Sequence, residues 1–205
     1  MNKKIYEILD YYIPNPKCEL NYSSPFELLI ATILSAQCTD KRVNIVTKEL
    51  FKKYDINSLA NASKRDIEDV IRSCGCYSKK SDYIITVSKR LLNDYSGIVP
   101  NDRIYLESLP GVGRKTINVV LKNIYNEPSI PVDTHVERVS KRLGFAKIND
   151  SVTTIEKKLM KKIPKDKWNR VSEQILLFGR YYCTSKNPKC LDCKFKNYCK
   201  YKKNS

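Results

Sequence analysis

An all-α fold is predicted by three features of this 205-residue chain. Helix-start signals and apolar stripes at helical spacing recur from end to end, period-two strand alternation is nearly absent, and the breaks between periodic segments are short and rich in Pro, Gly and Asn. The pattern accommodates about ten helices joined by short loops.

Taken in order, "MNKKIYEILDYYI" is an amphipathic opening in which Glu7 and Asp10 interrupt any continuous apolar run, so it does not read as a signal peptide. "SSPFELLIATILSAQ" places Ser24 as N-cap, Pro25 in the first turn and Glu27 three residues after the cap, ahead of an apolar run. "YSKKSDYIITVSKRLL" sets Tyr83, Ile84, Val87 and Leu91 on one stripe. "RIYLESLPGVGRKTINVVLKNIY", about residues 103–125, reads as a short helix, a Pro-Gly-x-Gly turn and a second helix whose stripe is Ile117, Val120, Leu121 and Ile124. "NEPSIPVD" breaks the pattern with Pro128 and Pro131, which cannot both lie inside one helix, and marks a crossing between subdomains.

Composition narrows the class. Lys and Arg number 38 against 22 Asp and Glu, a formal charge of +16, with a sequence pI near 9.4. Such an excess points to a polyanionic partner, although a chain rich in Lys, Asn, Ile and Tyr throughout also carries lysines that only solvate a surface. No apolar run reaches the roughly 18 residues of a membrane span. A soluble, cytoplasmic protein is expected, and there eight cysteines argue for metal ligation or free thiols over a disulfide framework.

Two motifs carry chemistry. In "LPGVGRKT" the spacing of Gly111, Gly113, Arg114 and Lys115 rules out a phosphate-binding P-loop, which needs four residues between its glycine and Gly-Lys-[Ser/Thr] and a preceding strand. A helix-hairpin-helix fits instead: the glycines allow close backbone approach, and the first N–H groups of the second helix lack intrahelical acceptors and suit a DNA phosphate. The positive end of that helix and Arg114 both disfavour a further positive charge at Lys115, which favours the free, nucleophilic amine; a lysine that only touches phosphate is the competing reading. Asp133, at the mouth of the next helix, reads either as a helix-start residue, with Thr134 and Glu137 as a capping-box pattern, or as a carboxylate that stabilises an oxocarbenium-like state.

The tail "CTSKNPKCLDCKFKNYC" places Cys183, Cys190, Cys193 and Cys199 in a C-x6-C-x2-C-x5-C array. His135 is the one histidine and lies far upstream, so a mixed Cys/His zinc finger is excluded. One close pair, where four-Cys zinc sites usually have two, tilts the array toward a [4Fe–4S] cluster, with zinc as the alternative. Cys18, Cys38, Cys74 and Cys76 are scattered and read as packing residues or bystanders.

"ELNYSSPFELLIATILSAQCTD", "LPGVGRKT", "VDTHVERV" and the cysteine tail, in that order and at those separations, resemble the endonuclease III family of bifunctional DNA glycosylases over about residues 19–201. The resemblance implies a six-helix barrel over residues 22–128 and a discontinuous iron–sulfur domain over 1–21 and 129–205. It implies Lys115 as Schiff-base nucleophile, Asp133 as catalytic aspartate and the four cysteines as ligands of a [4Fe–4S] cluster. The substrate would be double-stranded DNA carrying oxidised pyrimidines, such as thymine glycol, or abasic sites. The enzyme, a nucleoid-associated monomer, would then cleave 3′ to the abasic site by β-elimination. DNA contacts fall to Gly111, Gly113, Arg114 and Thr116 in the hairpin and to Lys186, Lys189, Lys194 and Lys196 in the cysteine loop. Gln37 matches the residue that fills the space left by a flipped nucleotide. Cys76, in "CGCY", stands where the family usually has a wedge leucine, and Phe178 where it often has histidine. A monofunctional mismatch or adenine glycosylase and a non-catalytic DNA-binding iron–sulfur protein are the rival readings; Lys115 argues against the first, which keeps the aspartate but lacks the lysine, and Lys115 together with Asp133 argues against the second.

Overall fold

The computed structural model describes residues 2–201; Met1 and residues 202–205, the ends of the expected iron–sulfur domain, lie outside them. In chain order the helices are α1 (Lys3–Tyr12), α2 (Pro25–Ser35), α3 (Asp40–Lys53), α4 (Ile56–Asn61), α5 (Lys64–Ile71), α6 (Tyr77–Tyr95), α7 (Arg103–Glu107), α8 (Arg114–Tyr125), α9 (Thr134–Arg142), α10 (Val152–Lys162) and α11 (Trp168–Tyr181), with a 3₁₀ turn at Lys165–Lys167. There is no strand among the described residues.

Short polar side chains start most of these helices by accepting the N–H groups that have no intrahelical partner. Ser24 accepts from the Glu27 N–H, Asp55 from Ser58 and Asp102 from Tyr105. At α2 the return bond differs from the expected capping box: the Glu27 carboxylate accepts from the N–H and hydroxyl of Ser23, one residue before the cap.

The chain divides into two compact units, one made of Cys18–Tyr125 and the other of the segment up to Lys17 together with Asn126 onward. The chain leaves the first unit a few residues before the two prolines of the break. Asn126 takes a left-handed φ of 52°, and Asn169 fixes it there, donating to the Asn126 side chain at 3.1 Å and accepting the Ser129 N–H at 3.0 Å.

The first unit is built around α2, whose Leu28, Leu29, Ile30 and Leu34 are all but fully buried, packed with Ile84, Val87 and Leu91 of α6 and Ile117, Val120 and Leu121 of α8. Tyr83 and Ile124 of the two expected stripes are partly buried at the margin of this core. The second unit buries Ile5, Ile8 and Leu9 of α1 against Val136 and Val139 of α9, Ile155 and Leu159 of α10 and Val171, Ile175 and Phe178 of α11. Helices α9 and α11 cross where Gly179 leaves room: a Cβ there would lie 3.0 Å from both the His135 Cβ and the Val139 Cγ2. No helix among the described residues is long and apolar enough to cross a membrane.

Candidate active site and cysteine cluster

In the first unit the hairpin is α7, the turn Ser108–Gly113 and α8. Arg90 of α6 holds the turn from below, donating to the Ser108 carbonyl at 2.8 Å and to its hydroxyl at 2.9 Å. The two glycines have different reasons to be there. Gly111 has φ +75°, and a Cβ would meet the Tyr83 ring at 2.5 Å, so only glycine fits. At Gly113 a Cβ would meet nothing within 4 Å; nothing inside this unit demands glycine, and the open space suits an approaching backbone. Between them Val112 is buried and anchors the turn to the core.

Helix α8 begins with Arg114 and Lys115, both exposed, and has no acidic residue in its first turn. Thr116 follows, partly buried, and Ile117 begins the buried stripe. The amine of Lys115 therefore stands at the electropositive end of a helix whose opposite face is held in the core.

Gln37 and Cys76 come from different loops and are brought together: the Cys76 thiol donates to the Gln37 side-chain oxygen at 3.7 Å. Both are exposed, and both hold left-handed φ values, 55° and 57°, a conformation that costs a non-glycine residue about 1–3 kcal/mol and gathers at functional sites. Lys80, which is 3% exposed, supports this pair. Its ammonium donates to the carbonyls of Leu34 and Ala36 at 2.9 and 2.6 Å, satisfying the end of α2 immediately before Gln37. Sequence reading missed Lys80, although it lies on the same stripe as Ile84, Val87 and Leu91.

Two of the scattered cysteines are also neighbours. Burial, and next the Cys38 thiol to which it is hydrogen-bonded, push the Cys74 thiol up to about 12. Cys74 is thus a protonated core residue, whereas Cys76 two positions on is exposed.

In the second unit Asp133 is the N-cap of α9: its Oδ1 accepts the N–H groups of His135 and Val136, each at 2.9 Å. The cap lies at Asp133 and not at Thr134, and Glu137, expected to close a capping box, instead accepts from Lys141 at 2.6 Å. Both cap bonds use Oδ1, so the helix start fixes the carboxylate while Oδ2 takes no part in the cap. The basicity of His135 is lowered, first by burial and further by Arg138 and Arg180, against the opposing pull of Asp133.

The four tail cysteines line one cavity of about 600 Å³ with Tyr12, Phe178 and Phe195 among its walls. Phe178 lies flat against the Tyr182 ring, 5.8 Å away, and packs on Phe195 at 5.0 Å; it is a packing residue. Two arginines of α9 hold the loop. Arg138 donates to the carbonyls of Cys183 at 3.0 Å and Gly179 at 2.7 Å. Arg142 donates to the Cys183 sulfur at 3.3 Å and the carbonyls of Thr184 at 2.7 Å and Ser185 at 3.2 Å. From α1, the Tyr12 hydroxyl accepts the Lys194 N–H at 2.9 Å. Burial, with the other cluster thiols adding to it, raises the Cys193 and Cys199 thiols. No three His, Cys, Asp or Glu side chains among the described residues converge closely enough to hold one metal ion. Lys186, Lys189, Lys194 and Lys196 are all exposed on this loop, Lys189 over the Tyr182 ring and Lys194 over the Tyr11 ring.

Residues 30–165 match the model of the HhH-GPD superfamily of base excision DNA repair proteins. Endonuclease III of Bacillus subtilis is 47% identical over 188 residues, 91% of this chain and 86% of that one. The Escherichia coli K12 endonuclease III is 43% identical over 190 residues, covering 92% and 90%.

This chain belongs to the endonuclease III family. Its fold matches a trapped endonuclease III–DNA covalent intermediate with a TM-score of 0.92 at 45% identity, over 98% of this chain and 97% of that one. A non-covalent endonuclease III–DNA complex also matches at 0.92, with 46% identity over 98% and 96%. A thermostable thymine-DNA glycosylase, 23% identical with a TM-score of 0.84, shares the fold. As a member of the endonuclease III family the chain is a base-excision repair enzyme, a DNA glycosylase with abasic-site lyase activity, and its partner is DNA.

Proposed function

We propose that the enzyme removes oxidised pyrimidines of the thymine glycol type from duplex DNA, with Lys115 as nucleophile and Asp133 as its carboxylate partner. The observation that carries the reading is the setting of Lys115: an exposed amine in the first turn of α8, beside Arg114 and with no carboxylate in that turn.

The steps balance on these two groups. A damaged nucleotide, cheap to unstack, swings out of the helix. The free amine of Lys115 attacks C1′ as the N-glycosidic bond breaks, and the base leaves with its electron pair and takes up a proton. The Asp133 carboxylate receives the proton shed by the lysine and stabilises positive charge developing on the sugar. As the sugar ring opens, O4′ takes the proton held by Asp133 and the nitrogen lone pair forms a protonated Schiff base between Lys115 and C1′, which acidifies the C2′ proton. The Asp133 carboxylate, free again, takes that proton as the C3′–O bond breaks and the 3′ phosphate leaves with its electron pair. Gln37 and Cys76, side by side on strained loops, fill the space the nucleotide vacates. Gly111, Gly113, Arg114 and Thr116 grip the phosphate backbone without reading sequence.

The donor set suits a [4Fe–4S] cluster on Cys183, Cys190, Cys193 and Cys199. Four thiols line one cavity of about 600 Å³, and their C-x6-C-x2-C-x5-C order has a single close pair where four-Cys zinc sites usually have two. Bound there, the cluster would cross-link a loop that has no regular secondary structure of its own and present Lys186, Lys189, Lys194 and Lys196 to DNA phosphates.

The test is base release and strand cleavage on a duplex bearing one thymine glycol. Wild type should perform both and Lys115→Ala neither. Base release without cleavage by wild type would favour the monofunctional reading.

A further inference from the structure

Beside the cysteine cavity, the second unit has a broader groove of about 1050 Å³ along α9 and α10 and the segment between them, lined by eight basic side chains and a single carboxylate. That carboxylate, Glu137, is already paired with Lys141, and Lys158 is paired with Asp150 at 2.5 Å. The other cationic side chains on its walls are Arg138, Arg142, Lys147, Lys161, Lys162 and Lys200. Eight basic side chains against one lining carboxylate make the groove strongly positive, and concave walls of one sign focus their field on whatever enters.

Its shape is specified by the chain. Gly144, with φ +72°, ends α9; the Phe145 N–H turns back to the Ser140 carbonyl at 2.8 Å and the Gly144 N–H to Lys141 at 3.2 Å. A Cβ on Gly144 would lie 2.6 Å from the Lys200 Cε, so glycine is what lets the Lys200 stem lie across the turn. The Lys200 N–H donates to the Arg142 carbonyl at 2.7 Å, and the Arg142 guanidinium stacks on Tyr201, 4.0 Å from the ring centre. Arg142 and Tyr201 also line the cysteine cavity. The groove is thus continuous with the loop proposed above to lie on DNA.

We infer that this groove takes the sugar–phosphate backbone of duplex DNA outside the lesion, as a second, sequence-independent contact track. The inference rests on the DNA-repair reading of the chain and extends it to a surface that the catalytic residues do not use. Its chemistry suits a phosphate backbone better than a small ligand: cationic heads on long mobile stems hold charge at a range of positions, and one open cavity at the upper end of small-ligand volumes suits a run of phosphates. The consequence is tighter binding to long undamaged DNA and steeper salt dependence, with no change in the chemical step.

The experiment compares wild type with the triple variant Lys147→Gln/Lys161→Gln/Lys162→Gln, measuring dissociation constants by fluorescence anisotropy on a long undamaged duplex and on a short one that just spans a lesion. KCl is varied from about 50 to 200 mM, and each lysine contact contributes about 0.9 to the slope of log affinity against log salt. On the long duplex the variant's slope should fall by about 2–3 and its affinity by tenfold or more, whereas on the short duplex the two proteins should agree. The charge-retaining Lys147→Arg/Lys161→Arg/Lys162→Arg variant should restore the slope. An unchanged slope on the long duplex overturns the inference and leaves the groove to an acidic protein partner; an equal loss on both duplexes also overturns it, because the lysines would then serve the lesion contacts. Single-turnover base release from the short damaged duplex should match in both proteins. Absence of base release in wild type would sink the lesion assignment without touching the slope comparison.

Discussion

The hairpin turn and the cysteine loop are both short, irregular and proposed to meet DNA, yet they are held in opposite ways. The turn Ser108–Gly113 is fixed within its own sequence: the Leu109 N–H bonds to Leu106, the Val112 N–H to Leu109 and the Ile117 N–H to the Gly113 carbonyl, with Arg90 the distant support. The cysteine loop has a few local turns, and its path is set from afar by Arg138, Arg142 and Tyr12, the last 182 residues away from Lys194 in sequence. A locally coded site tolerates changes in the rest of the chain and fails at one or two positions. A remotely held one depends on its staples, among which a cluster would be the strongest.

Four perturbations separate these two designs. The largest effect is expected for Gly111→Ala, which combines a left-handed φ with a 2.5 Å approach to Tyr83; it should cost about 3 kcal/mol in urea unfolding. A cost under about 1 kcal/mol would show that the turn is softer than its geometry implies. Next is Arg142→Ala, which removes the donors to Thr184 and Ser185 and should cost about 2 kcal/mol, with a matching fall in bound iron per protein on purification. Unchanged iron content would show that the loop does not depend on this staple.

Asp10→Asn is third. Arg170 and Gln174 hold the Asp10 carboxyl below the usual carboxylate range, the Arg170 hydrogen bond acting most strongly, against an opposing effect of burial. Because the folded value is depressed, the stabilisation is present above the unfolded value near 3.8 and lost as pH falls through the folded one. About half of the Asp10 side chain is exposed, so the effect should be no more than about 1 kcal/mol, and it should vanish at low pH in thermal melts of the two proteins. A difference that persists unchanged into acid would contradict this assignment.

The smallest change in stability belongs to Gly113→Ala, within about 0.5 kcal/mol because the new methyl meets open space. Its DNA affinity should nevertheless fall about tenfold, worth roughly 1.4 kcal/mol. Equal affinity would mean that no backbone closes on this position.

Much of the first unit was legible because local rules govern it. Ser24, the α6 and α8 stripes and the two-glycine turn are read from spacing alone, and each has a structural counterpart. Asp133 was legible as a helix start, while the placement of the cap one residue before Thr134 needed the hydrogen bonds themselves. What was not legible is long-range. Arg138 and Arg142 look like solvated cations on a basic helix until the loop they hold is folded back over them. The pairing of Gln37 with Cys76, 39 residues apart, depends on how α2 meets α6. Lys80 lay in plain view on the buried stripe, but helical periodicity does not say that a buried ammonium will find two free carbonyls.

The most direct test of the central claim is borohydride reduction of the enzyme on a duplex carrying one thymine glycol, followed by protease digestion and mass mapping of the DNA-linked peptide. The account predicts a covalent adduct on Lys115, absent from Lys115→Ala. An adduct on another residue, or its survival in Lys115→Ala, would contradict it.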